Sequence, residues 1–274
     1  MNIYLISMSE EGIIISIIYI SKNKLSRYLL ILVIVIATIS IFPIPIKNVA
    51  GDVVSVLVSN SRLKPIYEVD TDEKKVAISF DATWGSTRTP QLLAILDKHK
   101  IKATFFLTNI WVKKYPQIAK EIADAGHEIG LHTVSHPNLT ELPIDKIKVE
   151  LQDNAKLIKK VTGQEPILFR PPFGAYNNKV IQTIIDSNYI PIQWSVDSLD
   201  WKEISAQDIY QRVTTKIKPG SIVLFHNDGA NTPQALEAIL NYLNEEGYHI
   251  IPVSELVYKE NYFIDNNGKQ KINK

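Results

Sequence analysis

The chain has 274 residues, 45% of them hydrophobic and 22% charged, with mean hydropathy −0.01. That is apolar enough to bury a core, which excludes wholesale disorder, and too dispersed for a polytopic membrane protein. With 30 Lys+Arg against 29 Asp+Glu and no cysteine, the chain offers no basic excess for nucleic acid, no thiol catalysis, no disulfide and no Cys-ligated zinc. Any metal falls to carboxylates and the six histidines.

Residues 1–27 read as a cytoplasmic N-terminal segment that ends in Lys22, Lys24 and Arg27. Residues 28–46 carry no charge and come close to the roughly 20 residues that span a bilayer. Basic residues on the N-terminal side orient such a segment with that side in the cytoplasm. Residues 28–46 therefore read as a transmembrane signal-anchor helix with the rest of the chain outside. A cleaved signal peptide is the rival, with small residues at Asn48-Val49-Ala50-Gly51. The run Gly12 to Ile20 is too short to span alone. Residues 47–74 read as a linker and extended lead-in.

From Lys75 strands and helices alternate. Val76 to Phe80 has β character, and Pro90 to His99 carries Leu92, Leu93 and Leu96 at helical spacing. Ala103 to Thr108 reads as a strand, Pro116 to Ala125 as a helix stopped by Gly126, and His127 to His132 as a strand. Ile144 to Val161 is a long amphipathic helix stopped by Gly163. Ile167 to Arg170 is a strand, Asn178 to Ser187 a helix, and Ile190 to Val196 a strand. Ala206 to Ile217 is a helix, Ser221 to His226 a strand, Pro233 to Glu246 a helix, and Tyr248 to Val253 closes the series. Strict alternation argues for an α/β fold of parallel strands with crossover helices. About seven repeats suit an open doubly wound sheet or a barrel, and periodicity does not decide between them. Residues 259–274 form a polar C-terminal tail, rich in Asn and Lys and expected to fray.

Asp81, His132, Arg170, Asp197 and His226 each fall at or just past the C-terminal end of a predicted strand, the rim where parallel α/β folds bind ligands. His132 and His136 are four residues apart. A helix would put them on one face, but Pro137 disfavours helix at His136, and a sharp turn would also converge the rings. Asp81 offers a general base, a metal ligand or a turn cap. Arg170, in a rigid Arg-Pro-Pro-Phe-Gly turn, can hold a carboxylate in place. Asp197 and Asp200 lie beside Trp201, whose ring suits either a sugar or a core. His226 would become a proton donor if a carboxylate raised its pKa.

In order and spacing these segments resemble the five motifs of the NodB-homology polysaccharide deacetylases (carbohydrate esterase family 4), over roughly Lys75 to Val257. The Phe-Asp-Ala-Thr-Trp-Gly form of the first motif, with the anchored layout, looks most like the sporulation-associated branch. The resemblance implies a distorted (β/α) barrel of about seven parallel strands, spanning residues 75–258. It implies one divalent metal, zinc first, with cobalt or nickel as alternatives. By position, His132 and His136 match the histidine metal ligands, Asp81 the base and His226 the acid. Arg170 would orient Asp81, and Asp200 would tune His226. The backbone N–H of Phe173 would help bind the oxyanion, and Trp201 and Leu224 would line the acetyl pocket.

Two departures stand out, the lesser at Phe173, where the family often has Tyr but only the backbone N–H is needed. Where the family has a second aspartate as third metal ligand, this chain has Ala82. Two imidazoles alone are fewer than the three protein ligands usual for catalytic zinc. Asp81 would have to be recruited, or Asp228 would have to reach. The first functional expectation is a membrane-anchored N-deacetylase of cell-wall glycan, peptidoglycan above all, releasing acetate on the extracytoplasmic side. The second is a catalytically impaired glycan-binding relative with an incomplete metal site. Chitin or acetylated xylan is a weaker third choice. No protein partner and no nucleic acid are indicated.

Overall fold

The structure is a computed structural model, and it describes residues 2–9, 12–19 and 62–273. The chain divides into two units, Met1–Ser61 and Arg62–Lys274. In the first, β1 (Asn2–Ser9) and β2 (Gly12–Tyr19), both rich in isoleucine, pair antiparallel from Asn2 opposite Tyr19 to Ser9 opposite Gly12. Residues 28–46, expected to be a transmembrane helix, and residues 48–51 lie outside the described residues. Among the described residues no helix is long and apolar enough to cross a membrane.

The second unit runs β3 (Glu68–Val69), β4 (Lys75–Ala82), α1 (Thr89–Lys98), β5 (Thr104–Leu107), α2 (Asn109–Lys114), α3 (Pro116–Asp124) and β6 (Glu128–Leu131). It continues through α4 (Ile144–Thr162), β7 (Leu168–Phe169), α5 (Asn178–Asp186), β8 (Ile190–Pro191), β9 (Val196–Asp197), α6 (Ala206–Thr214) and β10 (Ile222–His226). It ends with α7 (Thr232–Glu245), β11 (His249–Ile250), α8 (Val253–Leu256), β12 (Tyr262–Ile264) and β13 (Lys269–Ile272). The parallel strands follow the order β8-β7-β6-β5-β4-β10-β9, and β11 pairs with the start of β4. β8 and β9 are not paired with each other, so the seven strands of this path make a half-barrel, open on one side.

Side-chain alternation along β4 sorts two cores. Val76, Ile78, Phe80 and Ala82 join the apolar layer between sheet and helices. Phe80 stacks on Phe105 at 4.8 Å and lies 5.7 Å from Phe225. Ala77 faces the other way, into the inner core with Phe106, Leu168, Ile192 and Ile222. Ser79 and Asp81 share the parity of Ala77, so this inner file climbs from an apolar base to a charged rim.

Most helix ends follow local chemistry. Asn177 and Ser205 cap α5 and α6 by accepting from Val180 N and Asp208 N. Gly163, at φ 76°, terminates α4 in the left-handed conformation that costs glycine least. The short α2 was not apparent from periodicity, since six residues carry too little pattern. Thr108 starts it by accepting from Trp111 N.

Two expectations are corrected. The apolar run Ile190 to Val196 is two strands, because Pro191 supplies no N–H and the chain then crosses from one edge of the half-barrel to the other. The polar tail is folded. β12 and β13 pair antiparallel, and β13 pairs parallel with β3. Fully buried Gln270 accepts from Tyr258 N at 2.9 Å and donates to Tyr258 O at 2.7 Å. These bonds satisfy an amide that would otherwise keep the segment in water. The lead-in is likewise integrated: Ile66 bridges to Ile192, next to edge strand β8, and Glu68 bridges to Ser221, next to β10.

Candidate active site

The register of the sheet brings the predicted rim residues together. His226 and Asp81 sit opposite each other on neighbouring β10 and β4. Arg170 follows β7, which pairs with β6, and His132 follows β6. The crossover order therefore gathers, at one end of the sheet, groups that lie far apart in the chain.

Asp81 is buried, and its Oδ1 accepts from Arg170 Nη1 at 2.7 Å. Arg170 is fully buried, donates through Nη2 to Ser79 Oγ at 2.9 Å and Gln193 O at 3.1 Å, and lies 4.0 Å over the Phe106 ring. The guanidinium is thus locked, and it locks the carboxylate. Burial pushes the Asp81 carboxyl up, but Arg170, His132 and His226 together outweigh it and hold it below the usual carboxylate range.

His132 is buried, with Nδ1 2.7 Å from Arg170 O. A carbonyl only accepts, so Nδ1 carries the proton and the Nε2 lone pair is free. Nε2 lies 3.6 Å from Asp81 Oδ2. The His136 ring is centred 5.0 Å from that of His132. Burial lowers the pKa of both rings, in His136 to about 4 with help from His132. Both are neutral at pH 7.

The two imidazoles converge through a turn, not a helix. Thr133 and His136 adopt φ of 79° and 56°, a conformation rare outside glycine and most so for a β-branched residue. Surrounding bonds hold it. Thr133 Oγ1 accepts from His136 N at 2.9 Å. Asn154 Oδ1 accepts from His132 N and Thr133 N, while its Nδ2 donates to Leu107 O and Asn109 Oδ1. One turn earlier on α4, Glu150 accepts from the backbone of Val134 and Ser135 and from Ser135 Oγ. Sequence reading missed both residues. The signal was available for Asn154, a polar residue on the buried stripe Ile147, Leu151, Asn154, Ile158 of α4. Asn154→Ala is expected to destabilise the fold by about 2–3 kcal/mol, because buried N–H groups lose their acceptor. A urea midpoint within error of wild type would show that Asn154 does not hold this turn.

Opposite lies His226, its side chain 31% exposed, with Nδ1 2.8 Å from Asp200 Oδ1. Asp200 is fully buried, and its Oδ2 accepts from His226 N at 2.8 Å and Thr232 Oγ1 at 2.7 Å. Burial lowers the pKa of His226, but Asp200, with Asp81 and Asp197, outweighs this and raises it above the ordinary value. The Asp197 carboxylate is directed elsewhere and caps a turn, accepting from Leu199 N at 2.9 Å. Asp228 likewise accepts from Arg88 N at 2.9 Å, in the turn after β4.

Phe173 adopts φ 60°, is 70% exposed, and places its ring 4.5 Å from that of His136. Trp201 is 56% exposed directly after Asp200. Leu224 is buried on the inward file of β10 below His226. Ala82 is fully buried in the sheet–helix layer, and its carbonyl accepts from Thr108 N at 3.1 Å.

Among the described residues no three of His, Asp and Glu form a closed metal-binding set. Two neutral imidazoles on one turn suit a divalent ion. Asp81 Oδ2, at 3.6 Å from His132 Nε2, is the carboxylate oxygen beside them. The two imidazoles suit such an ion, Asp81 is already engaged by Arg170, and position 82 offers no third ligand.

The sequence profile described as Polysaccharide deacetylase matches residues 68–191. The chain is 37% identical over 196 residues to a peptidoglycan-N-acetylglucosamine deacetylase of Bacillus cereus, covering 70% of this chain and 92% of that one. It is 34% identical to the uncharacterized protein YlxY of Bacillus subtilis, covering 74% of this chain but only 63% of that relative's length. Among solved structures, wild-type BA3943, described as a CE4 family pseudoenzyme from Bacillus anthracis, superposes with a TM-score of 0.68 at 38% identity, covering 70% of this chain and 68% of that one. A mutant of BA3943, described as having restored enzymatic activity, matches at 40% identity with the same TM-score and covers 70% of each chain.

Proposed function

Because the chain belongs to the polysaccharide deacetylase family, we propose that it hydrolyses N-acetyl groups on amino sugars of a cell-wall glycan, peptidoglycan first, releasing acetate. The observation that carries this reading is the pair of opposed proton-handling couples. Asp81 with Arg170 and His226 with Asp200 meet at one rim, beside His132 and His136.

Each couple suits one half of amide hydrolysis. Asp81 stays ionised, with Oδ1 occupied by Arg170, so Oδ2 is the atom free to accept a proton from water. His226 directs Nδ1 to Asp200, so its Nε2 is the atom that would protonate the leaving amine. His132 and His136 would hold a divalent ion, zinc before cobalt or nickel. Such an ion supplies Lewis acidity and ionises water near neutral pH. The backbone N–H of Phe173 is assigned to the oxyanion, and Trp201 and Leu224 to the acetyl pocket.

A finer placement rests on the sequence alone. The uncharged segment 28–46 supports a membrane anchor with the domain on the extracytoplasmic side, or secretion if it is cleaved. The form of the first motif supports a role in sporulation. A second reading, glycan binding without turnover, is favoured by Ala82, which offers no carboxylate and is buried in the apolar sheet–helix layer. The test is acetate release by the full chain from peptidoglycan and from the N-acetylglucosamine tetramer, with added zinc, cobalt or nickel. Release with any of them supports the hydrolase. Glycan binding with no release under all three selects the second reading.

The acid role fixes a sign for the pH dependence. His226 must be protonated to act, and its raised pKa keeps it so to higher pH, with activity lost as pH rises through that value. Asp200→Asn removes the charge that raises it. The alkaline limb of the rate profile is therefore expected to move to lower pH. An alkaline limb that stays in place in this variant would take Asp200 out of the tuning role.

A further inference from the structure

Among the described residues the exposed Trp and Phe side chains are Trp84, Phe173, Trp201 and Phe263. Three of the four neighbour residues of the candidate site. Phe173 and Trp84 flank the His136 ring edge-on, at 4.5 Å and 6.1 Å, and Trp201 follows the aspartate that holds His226. An isolated exposed aromatic is ordinary surface, but Trp84 is mounted on a fixed turn. The carbonyl of Gly85 accepts from the Trp111 indole N–H and from Asn227 Nδ2 at 3.0 Å. Gly85 has φ 59° and packs so closely on the Asp228 carboxylate that a Cβ there would displace it. Asp228 in turn accepts from Arg88 N at 2.9 Å. The backbone on the C-terminal side of Trp84 is pinned at several points, yet the residue is 65% exposed beside His136.

We propose that Trp84 is a sugar-stacking residue, whose indole face takes the hexosamine ring next to the one presented at His136. The proposal rests on the reading that the rim receives an N-acetylated glycan, and it adds the residue that measures chain length. A flat apolar face offered in advance loses little freedom on binding, and the C–H faces of a pyranose ring complement it. Trp84 and Phe173 both meet the His136 ring edge-on, so a sugar ring presented at His136 comes within reach of the exposed Trp84 side chain.

The test is calorimetric titration of the full chain with the N-acetylglucosamine tetramer and dimer. Trp84→Ala is expected to weaken tetramer binding by about tenfold or more, with a far smaller change for the dimer, and Trp84→Phe to restore most of the loss. An unchanged melting temperature in both variants would confirm that a largely exposed side chain was removed without harm to the fold. Tetramer affinity unchanged in Trp84→Ala, with Trp201→Ala weakened, would overturn the role of Trp84. A wild-type chain that binds neither tetramer nor peptidoglycan would overturn the glycan reading itself, a different outcome from the first.

Discussion

Ala82→Asp is expected to bind zinc at least about 100-fold more tightly than the wild-type chain, the upper end of what even an outer-shell partner contributes at such sites. The wild-type rim offers two imidazoles and a carboxylate already engaged by Arg170. A dedicated aspartate would complete the three protein ligands of a catalytic zinc and release Asp81 for proton transfer. Acetate release should rise with it. The substitution carries its own control. Ala82 is fully buried in an apolar layer, so an aspartate without metal costs several kcal/mol, and the variant should melt lower when stripped and recover when zinc is added. Equilibrium dialysis and melting curves with and without zinc read both effects. Unchanged affinity, with a melting temperature low in both conditions, would show that a side chain at position 82 stays in the sheet–helix layer and that another group completes the site.

The second large effect concerns the two sides of the rim. His226→Ala and His132→Ala are each expected to lower acetate release by about 10²–10⁴, the range set by losing a positioned proton donor or an equivalent group. Neither should unfold the domain. His226 is partly exposed, and its loss leaves Asp200 still bonded to Thr232 and to the backbone N–H of residue 226. His132 is buried, and its removal leaves the Arg170 carbonyl without that partner, a cost of about 1–3 kcal/mol. Acetate assays beside urea melts separate lost chemistry from lost fold. Activity that survives either substitution would show that the roles are assigned to the wrong residues.

The strand and helix order was legible because periodicity is local. Leu92 and Leu96 one turn apart, or Gly163 behind a long amphipathic stretch, need no distant partner to be interpreted. The coincidence of Asp81, His132, Arg170 and His226 with strand ends was legible for the same reason, and the parallel sheet then had to bring those ends to one rim. Where local signals were weak, the reading failed. The segment Tyr262 to Ile272 looked like a solvated tail because its composition is polar. It folds because β3, about two hundred residues earlier, supplies an edge, and because Gln270 finds both its partners on Tyr258.

An α/β body, a chemistry that falls to carboxylates, histidines and Arg170, and the missing carboxylate at position 82 are all readable from the residues in chain order. These are properties of composition and of short repeats. The family resemblance implied that Arg170 pairs with Asp81 and Asp200 with His226, and the fold brings each pair within hydrogen-bond distance. From the residues alone Asp197 and Asp200 were equal candidates beside Trp201; the fold sends Asp197 to cap Leu199 and Asp200 to His226. Only the fold showed that Asn154 and Glu150 hold the strained turn between the two histidines, and that Trp84 stands on a pinned turn facing His136. The physical reason is common to all of these. A hydrogen bond or ion pair acts over about 3 Å, and which groups come that close is set by sheet order and crossover connections, not by their separation along the chain.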